Sequence, residues 1–137
     1  PMGRLRDILT VAGFLTTVLI FSGPASAASY SLQTGADLAE ACGNPAQTDA
    51  ISPQERERLS VCGAYIQGFL GHYALARRGM KKPAFCLPPD GVSAENVRQL
   101  LLALLVQRPQ IRDLPANVDL ATSLAWGYSC DAKAAKP

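Results

Sequence analysis

The sequence predicts an all-α fold, a small disulfide-stapled bundle of about four helices. Three observations predict it. Apolar residues recur at steps of three and four along separate stretches, the period of amphipathic helices. No alternating strand pattern of useful length interrupts them. Four cysteines, Cys42, Cys62, Cys86 and Cys130, form an even, widely spaced set with no C-x-x-C pair. In an exported chain of this size such a set favours a disulfide framework over a zinc knuckle or a thiol oxidoreductase.

Export is predicted from the N-terminal segment. Met2, read as the initiator, is followed by Arg4 and Arg6, an uncharged apolar run over 8–21, and Ser22-Gly23-Pro24-Ala25-Ser26-Ala27. A basic start, a short apolar run and an A-x-A site have the layout of a secretory signal peptide, residues 1–27, with cleavage expected after Ala27. The run is short of the roughly 20 residues that span a bilayer as a helix. Retention as a single-pass anchor is the alternative. Residues 28–137 then form one helical domain of about 110 residues, enough for a modest core. Its ends, 28–32 and 131–137, are expected to fray.

Thr34 is the expected N-cap of the first helix, with Asp37 three residues on to accept backbone donors. Ala36, Leu38, Ala39 and Ala41 favour helix, and Gly43-Asn44-Pro45 ends it, leaving Cys42 at the C-terminal end. A polar loop covers 43–51. Ser52-Pro53-Gln54-Glu55 starts the second helix with a serine cap, proline at the first position and glutamate at the third. Leu59, Cys62, Ile66, Phe69 and Tyr73 then share one stripe. Gly63, Gly68 and Gly71 interrupt this helix and imply close packing against another helix or a partner. Arg77-Arg78-Gly79 closes it. Gly79–Asp90 is loop, since Pro83, Pro88 and Pro89 exclude helix.

Ser93 caps the third helix, whose apolar face is Val97, Leu100, Leu101, Leu104 and Leu105. Leu102 and Val106 add apolar surface off that face and point to a homodimer through this helix. Pro109 terminates it. Leu114-Pro115 opens the fourth helix, with Val118, Ala121, Leu124, Ala125 and Tyr128 expected inward and Cys130 just past its end. Cys42 and Cys62 flank a short loop. Cys86 and Cys130 bracket two helices whose short connection makes them antiparallel. The expected bridges are therefore Cys42–Cys62 and Cys86–Cys130.

Candidate chemistry is sparse. Without residues 1–27 the chain has 11 basic and 10 acidic side chains, and a net charge near +1 makes no case for nucleic acid or an anionic membrane. The one histidine, His72, has no further ligands spaced to join it in a metal site. Cys–His catalysis needs a free thiolate, and all four thiols are expected to be oxidised. Ser93, Ser123 and Ser129 lack a nucleophile context. Glu55 and Glu57 lie in a first helical turn, where carboxylates complement the dipole. No phosphate loop is present, and no cofactor is implied. Arg77, Arg78, Lys81 and Lys82 cluster at a helix end, either as a solvated terminus or as a contact patch for an acidic partner. The balance moves from enzyme towards a binding or structural protein.

Five segments carry a family resemblance in order: T-G-A-D-L-A-E-A-C (Thr34–Cys42), C-G-A-Y-I-Q-G (Cys62–Gly68), F-C-L-P-P-D-G-V (Phe85–Val92), V-R-Q-L-L beginning at Val97, and R-P-Q-I-R-D-L-P-A (Arg108–Ala116) leading to Cys130. Together they resemble the Rap/Tai immunity proteins. That family implies a small exported helical protein of a Gram-negative periplasm. Its characterised members bind and inhibit peptidoglycan amidase effectors delivered by type VI secretion. This chain departs from the pattern at Gly71-His72, where members commonly carry an acidic residue, and at Tyr128-Ser129-Cys130, where they often end in F-P-C.

The resemblance implies a non-enzymatic binding protein that occludes an amidase active site. Loops carry recognition on rigid scaffolds, which makes the 43–51 loop, with Asn44, Gln47 and Asp49, and the 77–84 loop, with Arg77, Arg78, Lys81 and Lys82, the candidate contacts. The alternative is a structural or accessory subunit of an envelope complex, tethered by an uncleaved N-terminal helix.

Overall fold

The computed structural model describes residues 31–45 and 50–131. The proposed leader, Gln47 and Asp49 lie outside them. Four α-helices and two 3-10 turns make up the architecture, with no strand among the described residues: α1 Gly35–Cys42, α2 Pro53–Ala76, a turn Arg77–Gly79, α3 Ala94–Gln107, a turn Pro109–Asp113, and α4 Ala116–Gly127.

The helix starts follow their caps. The Thr34 hydroxyl accepts from the Asp37 N–H at 3.2 Å, and the Asp37 carboxylate accepts from the Thr34 N–H at 2.9 Å. Hydrogen bonds to the Asp37 carboxylate from the Thr34 N–H and hydroxyl, with a further one from the Gln33 N–H, hold it below its usual carboxylate range. Ser52 and Glu55 form the same reciprocal box at α2, and the Ser93 hydroxyl accepts from the Asn96 N–H at α3. α4 has no side-chain cap. Its start is instead stitched to that of α1: Gly35 N–H donates to Leu114 O and Ala116 N–H to Gln33 O, both at 2.8 Å.

α1 packs on α2 and α4, α2 on α3, and α3 on α4. Their shared core contains Leu38, Ile66, Val97, Leu101, Leu104, Leu105, Leu120 and Leu124, all essentially without solvent contact. Each such side chain contributes roughly 1.5–3 kcal/mol of hydrophobic burial. Phe85 joins them from the loop after α2. The cysteines are bonded Cys42–Cys62 and Cys86–Cys130. Each bridge stabilises by about 2–4 kcal/mol.

Three expectations need correction. Val118 is 42% exposed, and the inward face of α4 is Ala116, Asp119, Leu120, Ser123 and Leu124. With the helix starting at Ala116, the i, i+4, i+8 register runs through Leu120 and Leu124 and turns Val118 outward. The glycines of α2 meet no close neighbour: a Cβ at Gly63, Gly68 or Gly71 finds nothing within 4 Å. α1 ends at Cys42 as expected, with Gly43 as its C-cap at a φ of −51°. Of the two residues assigned off the face of α3, Val106 is 81% exposed, whereas Leu102 is half-buried.

Close approach by a glycine occurs at Gly35. A Cβ there would lie 2.5 Å from Asp119 Oδ2 and 2.9 Å from the Ile111 carbonyl. Glycine lets α1 press against α4 and the 109–113 turn, with Asp119 between them.

Candidate functional site

α1 has no basic residue in its own last turn, and of its last carbonyls Glu40 O accepts from the Gly43 N–H at 3.3 Å, which leaves others in need of donors. Two arginines from other helices supply the donors. Arg58 of α2 donates to the carbonyls of Glu40, Ala41 and Gly43. Arg98 of α3 donates to Cys42 O at 2.8 Å and to Asn44 Oδ1 at 3.2 Å. The remaining face of Arg98 pairs with Glu95, whose Oε1 and Oε2 accept at 2.7 and 2.8 Å. Those hydrogen bonds from Arg98, and a further one from Gln99, push Glu95 down to about 2. Cationic side chains on terminal carbonyls also complement the helix dipole. With Cys42 bonded to Cys62 beneath them, the chain leaving α1 is fixed at its base by a covalent bridge and two charged clamps.

Beside this base lies a groove of about 170 Å³, floored by Leu59, Cys62, Gly63 and Ile66 and rimmed by Pro45, Ala94, Glu95 and Arg98. Pockets for drug-sized ligands run from roughly 300 Å³ upward, so this one suits a single apolar side chain. Gly63 forms part of its floor and leaves it open. The Glu95 carboxylate at the rim remains charged throughout the physiological range.

The second candidate region lies at the other end of α2. Arg77, Arg78, Lys81 and Lys82 are all exposed, and none makes an ion pair among the described residues. α2 has 24 residues, about 36 Å at 1.5 Å per residue. The structure therefore does not bring the two sets of candidate residues together: Asn44 belongs to the clamped end and the four cations to the far end.

The remaining polar residues have local roles. His72 is exposed on α2, and no group of three metal-ligating side chains occurs among the described residues. Ser93 is a cap. The buried Ser123 hydroxyl donates to Asp119 O, and the Ser129 hydroxyl accepts from Asp131 N–H. Glu55 caps α2, and Glu57 is exposed on it.

Sequence reasoning missed Arg58, Arg98 and Asp119. Nothing local in the sequence marks the two arginines: α2 carries both Arg56 and Arg58 on polar positions, and only the fold shows which one reaches α1. Asp119 is fully buried, and neither carboxylate oxygen has a hydrogen-bond partner. Burial raises it to about 6, against the pull of the nearby Arg112 guanidinium.

Residues 34–130 fit the family model of the Rap1a immunity proteins. No curated protein and no solved structure matches.

Proposed function

The chain belongs to the Rap1a immunity protein family, and on that premise we propose that it neutralises a cell-wall amidase effector in the periplasm by seating its clamped loop in the enzyme's cleft. Membership in an immunity family makes a protein effector its partner. The amidase, its delivery by type VI secretion, export through a cleaved 1–27 leader and pairing of two copies through Leu102 and Val106 are parts of this proposal. Two disulfides are compatible with an oxidising compartment.

The observation that carries the reading is the double clamp at the C-terminal end of α1. A loop that blocks a cleft binds tightly when its ordering cost is met before binding. Arg58, Arg98 and the Cys42–Cys62 bridge meet that cost at the base of 43–51. The groove beside the base offers a hole for one apolar side chain of the partner. Glu95 at its rim favours a cation next to that anchor. Inhibition follows from exclusion: the loop occupies the space the peptide substrate needs, and no bond is made or broken.

The test is enzymatic. Purified protein is titrated into a cell-wall amidase effector from the same gene cluster, and peptidoglycan hydrolysis is followed. The reading expects inhibition that saturates at a fixed stoichiometry. Full hydrolysis in the presence of excess protein would refute it.

A further inference from the structure

The far end of α2 has a composition the effector reading leaves unused. Between Glu57 and Asp90 the sequence contains no acidic residue. Within that stretch Arg77, Arg78, Lys81 and Lys82 stand exposed with no opposing charge, so the overall charge of +2 conceals a strongly polarised molecule. Two large apolar side chains stand among them in sequence, Leu75 at 67% exposure and Met80 at 45%.

This segment is held in place. Tyr73 donates to Phe85 O at 2.6 Å, and Cys86 N–H donates to Tyr128 O at 2.7 Å beside the Cys86–Cys130 bridge. Residues 74–84 are therefore a closed projection between two anchored points. The cations and the exposed leucine and methionine belong to one end of the bundle.

We propose that this basic, apolar-tipped end of α2 docks on an anionic phospholipid surface. Charge complementarity selects an anionic partner, and the composition of the patch selects a lipid one. Protein hot spots are built from Trp, Tyr and preset Arg, with Lys depleted. Here half the cations are lysines, no exposed Trp or Tyr accompanies them, and no cation is fixed by a hydrogen bond among the described residues. Lysine and arginine around leucine and methionine match elements that lie in a membrane interface, where apolar tips enter and long cationic side chains reach headgroup phosphates. No described helix is long and apolar enough to cross a membrane, so contact through this end is peripheral. The proposal does not depend on the identity of the effector.

The experiment is co-sedimentation of the disulfide-intact protein with vesicles of phosphatidylcholine alone and of phosphatidylcholine mixed with phosphatidylglycerol. The readout is the excess binding to the anionic vesicles. Any contribution of residues 1–27, with Arg4 and Arg6, is the same in every variant, so the patch is read from the anionic binding that its substitutions remove. We expect salt-sensitive binding to the anionic vesicles only. Each exposed cation contributes roughly fivefold near an anionic surface, so Arg77→Ala with Arg78→Ala lowers the affinity about twenty-five-fold. Leu75→Ser with Met80→Ser weakens it without altering the salt dependence. Gly63→Leu, at the other end, leaves it unchanged. Equal partition onto both vesicle types, or anionic binding that survives the arginine substitutions, overturns the proposal. So does vesicle binding too weak to detect when the same substitutions abolish amidase inhibition, which assigns the patch to a protein partner.

Discussion

The Tyr73 hydroxyl donates a 2.6 Å hydrogen bond to the backbone carbonyl of Phe85, and the two rings stack with centroids 3.9 Å apart. One residue of α2 thus secures both the main chain and the side chain of the loop that returns to α3. The Phe85 ring is buried, and the carbonyl it carries has its donor within the protein.

Tyr73→Phe keeps the ring contact and removes the donor. A buried carbonyl left without a partner costs about 1–3 kcal/mol. The variant should unfold cooperatively with a lowered denaturation midpoint and both disulfides intact. An unchanged midpoint would mean the hydroxyl bond contributes nothing net.

Asp119 sets a pH dependence. Its folded value of about 6 lies above the ordinary 3.8, so the folded state binds its proton more tightly than the unfolded state. Its contribution to stability is fully present below about pH 4, falls as pH rises through 4 to 6, and stays lost above that. The difference corresponds to about 3 kcal/mol at neutral pH. Glu95 runs the other way, its contribution being lost as pH falls from about 4.5 towards 2. Asp119→Asn should therefore stabilise the protein at pH 7 and change little at pH 4, as read by denaturant titration at both values. A variant less stable at pH 7 would show that the carboxylate has a partner in solution.

The two disulfides differ in access. Cys42 and Cys62 are fully buried, whereas Cys86 and Cys130 are exposed. Thiol–disulfide exchange requires access to a sulfur. Limited reduction followed by alkylation and peptide mapping should label Cys86 and Cys130 first. Labelling of Cys42 and Cys62 first would contradict the burial.

Val106 tests self-association. A side chain 81% exposed tolerates lysine in a monomer, so Val106→Lys should fold normally and shift a sedimenting dimer to monomer. A wild-type protein that sediments as a monomer at all working concentrations rules the pairing out.

The helices were legible because their signals are local. Thr34, Ser52 and Ser93 announce their caps within four residues, and the stripe of α2 through Cys62, Ile66 and Tyr73 is a period any one helix displays. The clamps were not legible. Arg58 reaches back across the loop to α1, and Arg98 lies 56 residues from the carbonyl it caps. Their role depends on tertiary placement, and in sequence they read as polar positions of amphipathic helices. Asp119 escaped notice for a related reason: nothing local marks an aspartate in a first helical turn as buried, and only the packing of Gly35 against it shows that it is inside. The two candidate loops were both visible in sequence. That α2 holds them at opposite ends follows from its unbroken length.

The central claim is that recognition belongs to the clamped end of α1 and the groove beside it. The most direct measurement is protection of bacterial cells that express the amidase effector in their periplasm. The wild-type chain should prevent lysis. Gly63→Leu should fold, since a Cβ there meets nothing within 4 Å and leaving glycine favours the helix, yet it fills the groove and should abolish protection. Arg77→Ala with Arg78→Ala should still protect against effector that has already reached the periplasm. Full protection by Gly63→Leu, together with loss of protection in the arginine variant, would contradict the account and move recognition to the far end of α2.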